Sequence, residues 1–359
     1  MKTLQMFANQ LESIPAISAW YLADLGVVFG KQELFIKQSP QKLKVLREHA
    51  LIESAISSSR IEGVEIEKSR VATIIFGKPL LKNRSEEEVS GYRDALNVIH
   101  AKKKLISLSE ETIKEFHHLI KSDTWDSGKY KEKPGDIIQT YPDGNVRIRF
   151  KTVSPDNVDH YIKKSIKLYN QCLRERYIHQ LIAIAAFNLD FLCIHPFRDG
   201  NGRVSRLLFL LQCYQAGYKV GRYISLERLI EENKERYYET LELSSKGWHE
   251  GKHNPWHYIN FLMYILKIAY KEFEERVGKI KSPRGSKTEL VKNTIDKLPE
   301  TFSLTDLEIA CPGVSRDMIR KVLSDLKKSD IIESIGRGPG ALWRKKVIHL
   351  KEGNKKGNN

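Results

Sequence analysis

The sequence has few of the patterns that mark several large classes of protein. Its four cysteines, Cys172, Cys193, Cys213 and Cys311, stand far apart, with no CxxC pair and no histidine at zinc-finger spacing. This spacing argues against a zinc site or a disulfide framework and favours buried, reduced thiols. No apolar run approaches the ~20 residues that span a bilayer, and residues 1–17 lack the basic flank and apolar core of a signal peptide. We therefore expect a cytoplasmic protein with no membrane partner.

The two commonest nucleotide-binding loops are missing as well. There is no GxxxxGK[ST] loop, and no strand precedes the Gly-Asn-Gly turn of the chain, which argues against a P-loop or a Rossmann site. The composition is that of a globular protein, with 41% hydrophobic and 29% charged residues. A formal net charge of +15 favours an anionic partner, whether nucleotide, nucleic acid or acidic protein.

Helical periodicity dominates the first 280 residues, and one hairpin interrupts it. The β-prone runs Ile137–Tyr141 and Val146–Phe150 flank a Pro-Asp-Gly-Asn turn, which predicts a hairpin within 135–150. Further along, the pattern predicts one continuous helix over about 225–246. The length of 359 residues predicts two or three domains.

The chain changes character after residue 280. The basic segment 279–287 contains Pro and Gly and is typical of a linker. Three short helical patterns and two β-like runs around a glycine turn follow, an order that predicts a winged-helix domain. Basic residues in its last helix, 315–328, and Arg337 in the wing make DNA a candidate partner, with protein as the alternative. The expected organisation is mainly α: a helical region 1–85, a helical core 86–280, a small α+β winged-helix domain 287–350 and a disordered tail 351–359.

The stretch HPFRDGNGRVSR carries the most chemistry. A proline ends the apolar helix before it, so His195 stands at a helix end. The Gly-Asn-Gly turn lets successive N–H groups converge on an anion where the next helix begins. Asp199 is a hard oxygen ligand suited to Mg²⁺, and Arg203 and Arg206 share one face of that helix. This combination predicts a polyphosphate site with a base; a glycine-rich turn with surface arginines is the alternative.

These twelve residues match the signature HxFx[D/E]GNGRxxR, and the chain resembles the Fic (filamentation induced by cAMP) family over roughly residues 40–280. Members of that family mostly transfer AMP from ATP to a protein hydroxyl. The resemblance therefore implies a protein adenylyltransferase with ATP as co-substrate and Mg²⁺ as metal. It implies that His195 is the general base toward a Tyr, Ser or Thr hydroxyl and that Asp199 holds Mg²⁺. The residues implied to bind phosphate are Gly200, Asn201, Gly202, Arg203 and Arg206.

The resemblance also gives roles to two elements outside this stretch. The hairpin 135–150 corresponds to a flap whose edge pairs with the backbone of the target protein, and a plain surface hairpin is the alternative. Tyr237, Tyr238 and Leu241 match a Tyr-Tyr-x-x-Leu that lines the adenine pocket in related proteins. Packing in the core is the competing explanation for these tyrosines.

In the stretch SSSRIEG (57–63) an acid stands at the wrong end of a helix. The C-terminus of a helix carries partial negative charge and disfavours Glu62 by roughly 0.3–1 kcal/mol. The stretch fits the motif [S/T]xxxE[G/N], so the helix at about 41–62 resembles the N-terminal inhibitory helix of many Fic proteins. The resemblance implies that Glu62 pairs with Arg206 where a γ-phosphate would bind, and that Ser58 reaches the same place. A solvated Glu62 before a plain C-cap is the alternative.

Three functions stay open from the sequence. The first is AMP transfer that is autoinhibited by Glu62, including self-modification. The second is a DNA-binding winged-helix regulator that carries a Fic core. The third is a Fic enzyme that moves another phosphate-bearing group, or that removes AMP. The sequence leaves the target protein and the oligomeric state undefined, a homodimer being one state that it allows.

Overall fold

The computed structural model of the protein describes most of the chain. The described residues are 2–8, 13–36, 40–67, 70–76, 81–101, 106–122, 124–140, 143–279, 286–311, 314–336 and 341–346. The predicted tail 351–359 and Arg337 of the predicted wing lie outside them. The chain divides into two compact units, Met1–Val277 and Gly278–Asn359, and each has its own apolar core.

The first unit is mainly helical. Its helices are α1 (Lys2–Ala8), α2 (Ala16–Ile36), α3 (Pro40–Ile61), α4 (Val71–Phe76), α5 (Arg84–His100), α6 (Glu110–Lys121), α7 (Pro155–Arg174), α8 (Gln180–Ile194), α9 (Asn201–Gln215), α10 (Leu226–Glu232), α11 (Lys234–Ser245) and α12 (Trp256–Lys279), with a short 3-10 helix at Val220–Arg222. Strands β1 (Ile137–Thr140) and β2 (Val146–Phe150) form an antiparallel pair in which Ile138 lies opposite Ile148. The prediction of a mainly α fold with a hairpin is confirmed.

Helix α8 lies in the core of the first unit. Every residue after its first is buried, as its nearly continuous apolar sequence predicts. Its buried polar residues are bonded: Asn188 donates to the Ser205 carbonyl at 2.7 Å, and Asp190 accepts from the Trp248 indole N–H at 2.6 Å. Such partners remove the cost of burying polar groups and hold α8 against its neighbours. Despite this apolar character, none of the helices in the described ranges has the length and hydropathy of a membrane span.

Helices α5 and α6 cross closely at Gly91. A Cβ added to Gly91 would lie 1.9 Å from the carbonyl oxygen of Leu119, so the crossing requires glycine. The close approach brings Glu88 of α5 beside Lys121 of α6, with 3.2 Å between Oε1 and Nζ. Both of these side chains reach the candidate active site.

The single helix expected over about 225–246 is two helices, α10 and α11, separated at Asn233. The side-chain Nδ2 of Asn233 donates to the Leu229 carbonyl at 2.8 Å, and its N–H donates to the Ile230 carbonyl at 3.1 Å. Asparagine competes with helical backbone bonds in this way. The prediction of one continuous helix is therefore wrong at this residue.

The second unit combines short helices with a small antiparallel sheet. Its elements are α13 (Ser286–Lys297), β3 (Thr301–Ser303), α14 (Leu304–Ala310), α15 (Arg316–Lys328), β4 (Ile332–Ile335) and β5 (Leu342–Lys345). The strands run in the order β3-β5-β4. Ser303 and Asp306 form a capping box at the start of α14. The sequence did not predict β3, because three residues are too few to show an alternating pattern.

We expect Gly91→Ala to lower the free energy of unfolding by roughly 1–3 kcal/mol or more, because the added methyl group meets the backbone of α6. Urea unfolding followed by circular dichroism measures this change. Gly26→Ala in α2 is the matched control: nothing lies within 4 Å of a Cβ there, so alanine should raise the stability by up to about 1 kcal/mol. Wild-type stability of Gly91→Ala would contradict the close crossing of α5 and α6.

Candidate active site

The loop between α8 and α9 is shaped by contacts among its own residues. His195 ends α8 in a left-handed conformation, with φ 53°. The Asn201 amide bonds Phe197 twice: Oδ1 accepts from its N–H at 2.9 Å, and Nδ2 donates to its carbonyl at 2.8 Å. The buried Phe197 ring stacks on His117, with 3.9 Å between ring centroids. Both polar atoms of the Asn201 side chain therefore hold the loop, and its expected role in phosphate binding stays a prediction.

The start of α9 offers a place for an anion. Gly200 has φ 79°, which glycine adopts without steric cost. Because α9 begins at Asn201, its first N–H groups have no partner within the helix. The carboxylate of Glu62 lies at this end, since a Cβ added to Gly202 would be 2.2 Å from Glu62 Oε1. An acid from another helix therefore lies against the first turn of α9.

Helix α3 brings Glu62 to that position. The helix ends in a Schellman motif, in which the Gly63 N–H donates to the Arg60 carbonyl and the Val64 N–H to the Ser59 carbonyl, both at 3.0 Å. Gly63 has φ 80°, the left-handed conformation that this motif requires. Glu62 is thus the last residue before the glycine that stops the helix.

Two nitrogens of Arg206 contact three oxygen atoms at the end of α3. Its Nη2 lies 2.9 Å from Glu62 Oε1 and also donates to the Ser58 carbonyl at 2.8 Å. Its Nε donates to the Ser58 hydroxyl at 3.0 Å. Burial lowers the pKa of Arg206, but Glu62 and nearby tyrosines outweigh burial and hold the pKa above its usual value. Ser58 and Glu62, one helical turn apart, therefore share one buried cation.

Two buried guanidinium nitrogens have no hydrogen-bond partner within the described part of the chain. They are Nη1 of Arg206 and Nε of Arg203. A buried donor without a partner costs roughly 1–3 kcal/mol. An anion bound at the start of α9 would offer acceptors to such donors.

A ring of alternating charges joins this loop to α5 and α6. The anions are Glu88 and Asp199, the cations are Lys121 and Arg203, and each cation contacts both anions. Lys121 Nζ lies 2.6 Å from Asp199 Oδ2, and Arg203 Nη1 lies 2.6 Å from Glu88 Oε2. Sequence reasoning missed Glu88 and Lys121, because each lies in an ordinary helical charge pattern far from the twelve-residue stretch.

The ring keeps both of its carboxylates ionised. Burial raises the pKa of Glu88, but Arg203 and Lys121 outweigh burial and lower it. Burial also raises the pKa of Asp199, while Lys121, Arg203 and the Gly200 N–H bring it down to about 2. Asp199 is therefore an anion at any physiological pH and needs no deprotonation to bind a metal ion.

The surroundings of Asp199 fit a Mg²⁺ that arrives with a nucleotide. Its side chain is 55% exposed, and Oδ1, which accepts from the Gly200 N–H at 2.6 Å, has a second lone pair. Within the described ranges no three His, Cys, Asp or Glu side chains cluster as a metal site. The other ligands would then be phosphate oxygens and water, an arrangement that Mg²⁺ commonly takes.

His195 is held as a neutral imidazole. Its Nδ1 lies 3.3 Å from the Leu192 carbonyl, and because a carbonyl can only accept, Nδ1 carries the proton and Nε2 is free to accept one. Burial and the nearby cation of Lys131 lower the pKa of His195 to about 4. Lys131 is fixed there because its Nζ donates to the Ile194 carbonyl at 3.3 Å.

A cavity of about 400 Å³ opens beside His195 and Glu62, between the hairpin and α11. The residues predicted for an adenine pocket all line it: Tyr237, Tyr238 and Leu241. Tyr237 is buried and its ring also packs near Tyr258, so a core role applies to it as well. Tyr238 and Leu241 are only partly buried.

The hairpin is tied to α11 by one acid. Glu242 pairs with Arg147 and Arg149 of β2. Ile138, Val146 and Ile148 are each more than half exposed. The hairpin thus borders the cavity with Arg149 and presents apolar side chains to solvent.

Residues 107–213 match the profile of the Fic/DOC family. A Fic family protein from Desulfovibrio desulfuricans G20 has a similar structure, with a TM-score of 0.59 and 20% identity over 96% of this chain and 98% of that chain. A Fic domain containing signaling protein from Bacteroides thetaiotaomicron VPI-5482 gives a TM-score of 0.61 and 21% identity over 71% of this chain and 97% of that chain. Fic-1 from C. elegans gives 0.56 and 22% identity over 74% of each chain. At these identities the likeness establishes the fold, and residues 107–213 are the part of it that matches the Fic/DOC family profile.

Proposed function

We propose that the protein transfers AMP from ATP to a Tyr, Ser or Thr hydroxyl of a target protein, and that Glu62 holds this activity low. The observation that carries the proposal is the ion pair between Glu62 and the buried Arg206, with 2.9 Å between Oε1 and Nη2. It places an internal carboxylate at the anion site of α9, beside a neutral histidine. Nucleotidyl transfer is common among proteins with a Fic/DOC domain, which supports the reaction class.

The chemistry begins at His195. Its Nε2 takes the proton of the acceptor hydroxyl while the hydroxyl oxygen attacks the α-phosphorus of ATP. A bond forms between that oxygen and the α-phosphorus, and the bond from the α-phosphorus to the oxygen that bridges to the β-phosphorus breaks. AMP stays on the target and pyrophosphate leaves in line, so the protein contributes mainly positioning and electrostatic stabilisation.

The first turn of α9 would bind the phosphates of ATP. The N–H group of Gly202 and the free guanidinium nitrogens of Arg203 and Arg206 would bind the phosphate oxygens. The Gly200 N–H, which donates to Asp199 Oδ1 in the free protein, would join them by exchanging that partner for phosphate. Asp199 would hold Mg²⁺, which supplies neutralisation of the phosphate charge when it is bound. Arg203 keeps its contact with Glu88 throughout, so its guanidinium is fixed before the nucleotide arrives.

Inhibition follows from competition for one cation. Glu62 and a γ-phosphate both need Arg206 Nη2 and the first turn of α9, and two anions cannot share that place without strong repulsion. With Glu62 in position, ATP would bind with its α-phosphate displaced from His195. The activity of the free enzyme is therefore set by how often Glu62 leaves Arg206.

The target protein is proposed to bind along the hairpin. A two-stranded sheet leaves unpaired backbone groups on its outer edges, and an extended target segment can add as a strand. The exposed side chains of Ile138, Val146 and Ile148 suit an apolar segment. Such pairing would place the acceptor hydroxyl over the cavity that contains His195.

Removal of AMP from a protein is a second candidate at the same site. It is favoured because Glu62 lines the same cavity as His195, where its carboxylate could orient a water toward the phosphorus of a bound AMP-protein.

DNA or protein binding by the second unit also stays a prediction, as does its assignment as a winged helix. Two arginines of α15 are already near acids, Arg316 at 3.1 Å from Glu308 and Arg320 at 3.8 Å from Asp317, which reduces the positive charge available to DNA.

We expect Glu62→Gly to raise AMP transfer roughly 10- to 100-fold, because it removes a charge-assisted bond that holds Arg206. Incubation with Mg²⁺ and ATP labelled at the α-phosphorus, followed by mass spectrometry for a gain of one AMP, measures both the rate and the modified residue. Adding His195→Ala to this variant should abolish transfer, since a general base contributes ~10²–10⁴-fold. Glu65→Gly is the matched control, because this acid is exposed and follows the end of α3. Equal transfer by wild type and Glu62→Gly would contradict the proposal.

The pH dependence of the activated enzyme provides an independent test of the base. Because the pKa of His195 is about 4 and the base acts unprotonated, kcat/KM of the Glu62→Gly variant should stay level from about pH 8 down to about pH 6. It should decline only as the pH approaches the lowered pKa. A loss of half the activity near pH 6.5, the ordinary histidine value, would show that His195 is not held as described.

A further inference from the structure

The cap of α3 provides no donor to the carbonyls of Ser58 and Ile61, and that of Ser58 accepts from Arg206 Nη2 instead. The last four carbonyls of a helix have no partner inside the helix. In α3 the Schellman motif provides N–H donors to Ser59 and Arg60. The carbonyl of Ile61, the residue directly before Glu62, receives no donor from this motif.

Tyr238 of α11 supplies the missing donor. Its hydroxyl donates to the Ile61 carbonyl at 3.1 Å. One turn earlier on the same helix, Lys234 Nζ donates to the Arg60 carbonyl at 3.3 Å. Helix α11 therefore caps α3 from outside, and Tyr238 bonds the peptide group that leads into Glu62.

The same tyrosine also faces the cavity. Tyr238 and Glu62 line one cavity together, and burial and the charge of Glu62 both raise the pKa of Tyr238 above its usual value. The hydroxyl therefore stays protonated near neutral pH and remains a donor to the carbonyl. Its position links the wall of the cavity to the backbone of the inhibitory residue.

We propose that Tyr238 is a positioning residue for autoinhibition: its hydroxyl fixes the last peptide of α3 so that the Glu62 carboxylate meets Arg206. This inference rests on the proposed function and names part of its regulation. Loss of the hydroxyl frees the Ile61 carbonyl and loosens the last turn of α3. Glu62 then leaves Arg206 more often, and the nucleotide gains access to the anion site.

The test is a cycle of four proteins: wild type, Tyr238→Phe, Glu62→Gly and the double variant. Removing one hydrogen bond should make Tyr238→Phe transfer AMP roughly 2- to 10-fold faster than wild type. In the Glu62→Gly background the same substitution should raise kcat no further, since the effect of the hydroxyl on inhibition passes through Glu62, and phenylalanine keeps the ring in the predicted adenine pocket. Tyr264→Phe in α12 is the matched control, because it removes a hydroxyl from a half-buried tyrosine that packs under Arg236, and it should leave the rate at the wild-type value.

Two results would overturn the proposal. If Glu62→Gly is active but Tyr238→Phe equals wild type, the hydroxyl does not position Glu62. If Tyr238→Phe has the same effect in both backgrounds, the tyrosine acts on the nucleotide directly.

Hydrogen exchange keeps the test independent of the reaction: Tyr238→Phe should speed amide exchange in the peptide that contains residues 59–64, and Tyr264→Phe should not. If Glu62→Gly is inactive, the proposed function fails, and the exchange of that peptide decides the role of Tyr238 by itself.

Discussion

The buried guanidinium of Arg206 is the constraint around which the candidate site is arranged. A charge at this depth is tolerated only with a partner, and removing one member of a buried pair costs several kcal/mol. Here the partners are the carboxylate of Glu62 and the hydroxyl and carbonyl of Ser58, all from α3. The helix that brings the anion is thereby fastened to the helix that would bind a nucleotide. The same contacts hold α3 in place and, in the proposed function, keep the anion site closed to a nucleotide.

A second set of charges prepares the rest of the site in advance. Lys121 and Glu88 come from the crossing of α6 and α5, which exists only because position 91 has no side chain. They form ion pairs with Asp199 and Arg203. His117, one turn before Lys121 on α6, supports the loop separately: its ring stacks on Phe197, and its Nε2 lies 3.1 Å from the Asp199 carbonyl. Side chains that are fixed in this way lose little further freedom when a ligand binds, which is how preorganised sites gain their effect.

The parts of this site that the sequence predicts are those that are contiguous in the chain. The stretch 195–206 places a base, a carboxylate, a glycine turn and two arginines within twelve residues, so the chemistry can be read without a fold. Glu88 and Lys121 were invisible because only the helix crossing makes them neighbours of Asp199. The same holds for the two bonds between the Asn201 amide and Phe197, which depend on the conformation of the loop. The break at Asn233 is a local effect of one side chain, and the helical periodicity of 225–246 does not reveal it.

In the proposed function, a phosphate replaces Glu62 at Arg206, so the same guanidinium binds one anion in the free protein and another with nucleotide bound. The Glu62 side chain is 31% exposed while that of Arg206 is 3% exposed, so the two ends of the ion pair differ in what separation costs them. When the pair separates, Glu62 can become fully hydrated. Arg206 would then be a buried charge without its anionic partner. An anion beside Arg206 therefore stabilises the site, and in the proposed function the chain supplies it in the free protein and a nucleotide supplies it when bound. In the proposed function, the strength of inhibition is the difference between the free energies with which Glu62 and a phosphate bind Arg206. Fixing the last turn of α3 favours Glu62 in this competition.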